Sequence, residues 1–141
     1  MDQDKQQEIF DACPLLFKDR QNSRYAIQFG LECGNGWFTT IKIACELLEE
    51  QIAKIPEDEQ HKYHADQIKE KFGGLRIYLS SQTDKMSMII RGAEDICKYT
   101  CEICGNRSSA ETRNIEGWYR TLCDDCERKL VNSRNMDRAL E

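Results

Sequence analysis

Eight cysteines occur in this chain of 141 residues, and four of them form two close pairs. Cys101 and Cys104 make the first pair, and Cys123 and Cys126 make the second, with eighteen residues between the pairs. Two cysteines three positions apart can reach one tetrahedral ion, and two such pairs at this separation are typical of a structural zinc site. Gly105 follows the first pair and permits the tight turn that aims backbone amides at the sulfurs. We therefore expect one structural zinc ion held by four thiolates, with no open position for water.

The other four cysteines lack this paired spacing. Cys13, Cys33 and Cys45 are interpreted as ordinary buried thiols. Cys97 lies four residues before the first pair and could replace one ligand. Its helical spacing from Ala93 favours a place in the core instead.

Hydrophobic periodicity predicts an α+β fold, with helices packed on a small antiparallel sheet. We expect a core over residues 1–100 and a zinc module over 101–141, packed together as one folding unit. Gly73 and Gly74 supply the positive φ angles of a two-residue hairpin turn, and Thr83 or Asp84 can cap a helix. The expected elements are a helix over 2–12, a strand over 25–29, a glycine-rich turn over 32–37, a helix over 37–54, a solvated loop at 57–59, a β-hairpin over about 67–80, a helix over 83–98 with Ile96 on its buried side, a short hairpin over 112–115 and 118–122, and a helix from the second cysteine pair.

Composition and charge narrow the classes of protein. The chain is 40% hydrophobic and 32% charged, as globular proteins are. No apolar run approaches the length that spans a bilayer, and the first residues lack the pattern of a signal peptide, so we expect a cytoplasmic protein without a membrane partner. The net charge is −5, and four zinc-bound thiolates make it more negative, which disfavours nonspecific binding to DNA.

Three further features could carry function. His61 and His64 are the only histidines and could form half of a metal or acid–base site, although solvated loop histidines are commoner. Trp37 is expected in the core, whereas Trp118 could lie in the core or at an interface. The predicted β-hairpin and the residues after it carry cations and aromatic rings: Lys69, Lys71, Arg76 and Lys85 with Phe72 and Tyr78. Together they could bind nucleic acid. The favoured alternative is a strand pair with one ordinary solvated face.

Several segments resemble small uncharacterised proteins of phages and prophages. They are residues 32–37, 67–78, 101–105, 117–118 and 122–123. The resemblance implies a phage-associated origin, and hence a host-cell cytoplasm, but no known reaction. The zinc half is similar to a treble clef and to the scaffold of HNH nucleases, which place a knuckle, a hairpin and a helix in this order. No histidine follows His64, so the catalytic and metal-binding histidines of those nucleases are missing.

Three functions follow as hypotheses. The first is a non-enzymatic interaction protein that binds and modulates a host protein, such as a component of a defence complex, through Glu57, Asp58, Glu59 and Trp118. The second is a nucleic-acid-binding accessory protein, and the third is an enzyme that uses His61 and His64. The oligomeric state is left open by the sequence.

We predict that the protein has little affinity for random duplex DNA at physiological salt. Phosphate binding depends on clustered cations, and the chain is acidic. A filter-binding titration should give no submicromolar dissociation constant. Tight binding that weakens steeply with added salt would contradict this prediction.

Overall fold

The computed structural model describes residues 1–141 and is an α+β protein. The helices are α1 (Gln3–Ala12), α2 (Phe38–Ala53), α3 (Asp84–Cys97) and α4 (Asp124–Ala139). The strands are β1 (Leu31–Glu32), β2 (Ala65–Lys71), β3 (Gly74–Leu79), β4 (Glu111–Ile115) and β5 (Trp118–Leu122), and short 3-10 helices cover Ala26–Phe29, Asn35–Trp37 and Glu57–Lys62. None of the helices combines the length and the apolar character needed to cross a membrane.

The main core lies between the helices and the sheet and contains 21 buried residues. The periodicity of α2 is confirmed, because its buried residues are Ile41, Ala44, Cys45, Leu48 and Ile52. Trp37, directly before α2, is fully buried, and its Nε1 donates to the carbonyl of Thr100, just beyond α3, at 2.8 Å. The start of α2 therefore meets the end of α3, and the two helices run antiparallel. The α3 cap is also confirmed, since the Met86 amide donates to Thr83 Oγ1 at 3.3 Å.

The larger sheet has the order β1–β2–β3 and is mixed, not purely antiparallel. The hairpin of β2 and β3 is antiparallel as expected, but β1 adds a parallel edge. The expected hairpin turn is wrong by one residue. Positive φ angles occur at Phe72 (51°) and Gly73 (83°), because Lys71 pairs with Gly74 and places Gly74 inside β3.

The expected strand over 25–29 is wrong. This segment forms a 3-10 helix over Ala26–Phe29, in which Ile27 is buried and Phe29 is 72% exposed. Gly30, at a φ of 83°, then turns the chain into β1. An alternation of five residues is too short to separate a strand from a tight helical turn that buries one side chain.

A second, smaller hydrophobic cluster has six buried residues, three of which are paired cysteines: Cys101, Ala110, Ile115, Leu122, Cys123 and Cys126. The glycine turn (34–36) joins the core to the cysteine loop (101–105). The Gly36 amide donates to the Glu102 carbonyl at 2.7 Å. A Cβ atom on Gly36 would lie 2.0 Å from the Cys101 carbonyl oxygen, so no larger residue fits there without movement of the backbone. A second junction lies at the tip of the β2–β3 hairpin, where Thr121 Oγ1 donates to the Gly73 carbonyl at 2.6 Å.

We predict that Gly36→Ala lowers the melting temperature and removes about 2 kcal/mol or more of unfolding free energy, because backbone must move to accept the methyl group. Gly92→Ala is the matched control. Gly92 lies inside α3, and its Cβ would meet no atom within 4 Å, so the change should stabilise the helix by up to about 1 kcal/mol. Equal effects of the two substitutions in thermal denaturation would contradict the close contact.

Candidate metal centre

The two cysteine pairs converge on one point. Sulfur atoms of Cys101, Cys104, Cys123 and Cys126 all lie within 4.8 Å of one another. The Cys104 and Cys123 sulfurs are 3.7 Å apart, too far for a disulfide. A tetrahedral ion with metal–sulfur bonds of about 2.3 Å would separate its ligands by about 3.8 Å. The cluster is therefore compatible with a four-thiolate metal site.

Local backbone geometry explains how the sequence brings these sulfurs together. Gly105 has a φ of 80°, and its amide donates to the Cys101 carbonyl at 2.9 Å, which closes the cysteine loop. The Cys101 amide donates to the Asn106 carbonyl, also at 2.9 Å. Cys123 directly precedes α4 and Cys126 lies in its first turn, so the second pair is fixed by a helix start.

The ionisation of the four cysteine thiols depends on their surroundings. Burial acts to raise the pKa of Cys101, but hydrogen bonds from the backbone of Cys104, Cys123 and Ile103 outweigh burial and lower the pKa to about 7. Burial and the neighbouring sulfurs raise the pKa of Cys126. One thiol is thus prepared to ionise, while four thiolates at this distance need a positive ion to offset their repulsion.

An arginine that the sequence analysis did not single out ties the second hairpin to α4. Arg113 Nη2 lies 2.7 Å from an Asp124 carboxylate oxygen, and Nη1 contacts the Glu127 carboxylate. Its Nε donates to the Leu122 carbonyl at 3.0 Å. The hydrogen bond to Asp124 raises the pKa of Arg113, whose side chain is only 14% exposed. This network holds the helix that carries the second cysteine pair.

Glu102 is a buried carboxylate between the first two cysteines, and it was also missed. Its Oε1 accepts from the Gly34 amide at 3.1 Å, and its Oε2 lies 3.3 Å from Arg120. A buried carboxylate is tolerated when donors satisfy it. The side chain therefore links the cysteine loop, the glycine turn and β5.

The remaining cysteines are buried in the main core, as expected. Burial raises the pKa of Cys13, Cys33 and Cys97 to about 12, and that of Cys45 well above its usual value. Such thiols are poor nucleophiles and poor metal ligands. Cys97 does not belong to the group of four sulfurs.

The two histidines occupy different environments. His61 is exposed on a 3-10 helix, whereas His64 is buried. His64 Nδ1 lies 3.0 Å from Asp66 Oδ1, and Nε2 lies 3.4 Å from Asp19 Oδ2, so His64 is not the solvated loop histidine that the sequence favoured. Asp66 is two residues further along β2, a spacing that could have been noticed; Asp19 reaches the ring only through the fold. Burial raises the pKa of Asp66, and the His64 charge opposes that shift.

The proposed partner-binding residues lie on separate elements. Glu57 and Asp58 are exposed on a 3-10 helix that replaces the expected loop, and Glu59 pairs with Lys62 at 2.7 Å. Trp118 is 58% exposed on β5, so it lies on the surface of the small module and not in its core.

An apolar groove between α2 and α3, which we call the helix groove, was missed entirely. It has a volume of about 300 Å³ and is lined by Thr39, Thr40, Ile43, Ala44, Leu47, Met88, Ile89, Gly92, Ala93, Ile96 and Arg107. Ile96 was expected on the buried side of α3 and is 44% exposed. Spacing could have revealed the groove: Ile43 and Leu47, and likewise Met88, Gly92 and Ile96, recur every four residues beside the core positions.

We predict that Cys104→Ser and Cys123→Ser each abolish metal binding and unfold residues 101–141, because the binding energy of so small a module is folding energy. Elemental analysis should give one metal ion for each chain of the unaltered protein and none for the variants. Cys97→Ala is the control and should retain the ion. Amide exchange in 101–141 that is unchanged by Cys123→Ser would contradict a structural role for the ion.

The chain was also compared with known proteins. No protein-family model, no curated protein and no solved structure matches it.

Proposed function

We propose that the chain is a non-enzymatic, zinc-stabilised interaction protein that binds a helix of a partner protein in the helix groove. The observation that carries this proposal is the groove itself. Ile43 is 54% exposed, Leu47 43% and Met88 64%, and all three line the groove. Exposing apolar side chains is unfavourable in water, and an apolar groove is a common place for a partner to bind.

The ion of the metal centre is zinc in this proposal. Four thiolates at tetrahedral distance favour zinc among common cellular ions, since magnesium and calcium prefer oxygen. The order of cysteine loop, β4–β5 hairpin and α4 supports a treble clef. With four sulfur ligands the ion has no open position, so its role is structural.

The shape and charge of the groove favour a helical occupant. Two antiparallel helices form its walls, and a third helix can lay an apolar face between them. Gly92 lies on the wall formed by α3, where no atom occupies the space of a Cβ, so an incoming helix can approach closely. Arg107 is the one charged residue of the lining and forms no ion pair within the chain. The expected occupant therefore has apolar residues at positions i, i+4 and i+7, and a carboxylate that faces Arg107.

The environment of His64 supports binding over catalysis. Its side chain is 6% exposed, and each ring nitrogen faces a carboxylate. The Tyr25 ring lies 4.7 Å from the imidazole, centroid to centroid. An imidazole enclosed in this way connects β2 to the segment around Asp19 and offers little surface to a substrate.

The partner class follows from the resemblance to phage and prophage proteins. A host protein in the cytoplasm, such as a component of a defence complex, is the expected partner. Glu57, Asp58, Glu59 and Trp118 remain a predicted secondary contact surface outside the groove.

We predict that selection from a display library of amphipathic helical peptides enriches sequences with the apolar spacing above and an acidic residue at one end. Ile43→Glu with Met88→Glu should weaken the selected peptides by about 100-fold or more, because a buried unpaired charge opposes binding. Arg107→Glu should shift the enriched charge from acidic to basic. Titration calorimetry measures both effects.

The control for these variants is Met136→Glu with Leu140→Glu. These residues of the C-terminal region are 70% and 87% exposed and lie outside the groove. Their substitution should leave peptide affinity unchanged. The proposal would be contradicted if the enriched peptides bound the Ile43→Glu variant as tightly as the unaltered protein. A dimer in sedimentation equilibrium that Ile43→Glu dissociates would also contradict it, since a second copy would then fill the groove.

A further inference from the structure

The outer face of the β2–β3 hairpin carries a row of unpaired cations. Lys69 and Arg76 lie directly opposite each other in the register, and neither forms an ion pair. Like charges directly opposite across strands are destabilising. Lys71 continues the row, and Tyr78, 40% exposed, lies on the same face two residues after Arg76. We call Lys69, Lys71, Arg76 and Tyr78 the hairpin face.

Acidic groups do not neutralise this face. Glu32 of β1 is paired in register with Lys69. Its carboxylate accepts a hydrogen bond from Gln67 at 3.2 Å and forms no ion pair with Lys69. The chain is acidic overall, with a net charge of −5, whereas this face carries a row of unpaired positive charges.

Phe72 adds an exposed aromatic ring at the hairpin tip. The residue has a φ of 51°, a conformation that bulky side chains rarely adopt, and it is 74% exposed. Asparagine or glycine would fit this backbone better, and a polar residue would suit the solvent. The Lys71 ammonium lies 5.9 Å from the centre of the ring, so the ring stands beside the cationic row. A residue that is unfavourable for both its backbone and its exposure is best explained by what its side chain binds.

We propose that the hairpin face and Phe72 bind single-stranded nucleic acid, with phosphates on Lys69, Lys71 and Arg76 and bases stacked on Phe72 and Tyr78. Cations in a row with flanking aromatic rings are the elements of sequence-tolerant recognition of single strands. The strand segment from Lys71 to Gln67 measures about 13 Å, which suits a few nucleotides. The bases of duplex DNA are stacked inside the double helix. Its phosphates can contact the cations of the hairpin face, but its bases cannot stack on Phe72 or Tyr78. This inference concerns a surface separate from the helix groove and does not depend on it.

The test is fluorescence anisotropy with labelled oligothymidylate and oligouridylate of about 12 nucleotides, and with a duplex of equal length. Both single strands should bind more tightly than the duplex at physiological salt. Lys69→Glu places opposite charges across from Arg76 but like charges across from Glu32, so it should leave the melting temperature nearly unchanged while weakening binding by about tenfold. Phe72→Asn relieves the backbone and should stabilise the protein while weakening binding by about tenfold.

Lys54→Glu is the matched control, because it makes the same change of charge at an exposed position just after α2. The affinity of this variant for the single-stranded probes should stay within about twofold of the affinity of the unaltered protein. Stronger binding of the uridylate probe would support the proposal and identify RNA as the ligand. The proposal is overturned by an absence of single-strand binding at physiological salt, by an equal loss in Lys54→Glu, or by full affinity in Phe72→Asn.

Discussion

The backbone of the glycine turn (34–36) packs directly against the backbone of the cysteine loop (101–105), and this contact sets the arrangement of the rest of the molecule. A Cβ on Gly34 would lie 2.4 Å from the Glu102 carbonyl oxygen, and one on Gly36 would lie 2.0 Å from that of Cys101. Side chains are therefore excluded at positions 34 and 36. Trp37 follows the turn and reaches Thr100, so the start of α2 and the end of α3 are fixed by the same junction.

The four cysteines beside this junction lie close enough together to hold one metal ion. The four sulfurs are brought together by Gly105 on one side and by the start of α4 on the other. Without a cation, four thiols at these distances cannot all ionise. The Glu102 carbonyl of the cysteine loop also accepts the hydrogen bond from the Gly36 amide of the glycine turn. Order at the candidate metal centre and order in the core are therefore physically coupled. The helix groove and the hairpin face lie on the core that this coupling supports.

Features defined by spacing along the chain were predicted well. The face of α2 and the Thr83 cap depend on neighbours a few residues apart, and the convergence of the four cysteines was predicted from the spacing within and between the two pairs. Features defined by contacts across the fold were not. The hairpin turn begins at Phe72 because pairing of Lys71 with Gly74 overrides the preference of a glycine pair for positive φ. The contacts of Glu102 and the approach of Asp19 to His64 join distant segments, and no local pattern encodes them.

We propose that an ion held by the four cysteines stabilises the whole protein and not only residues 101–141. Amide hydrogen exchange measured by mass spectrometry, with the ion bound and after its removal by a chelator, tests this directly. We expect protection to fall in 101–141 and also at the amides of Gly34 and Gly36, because both amides donate hydrogen bonds to Glu102 in the cysteine loop. Loss of protection confined to 101–141, with the core unchanged, would contradict the claim.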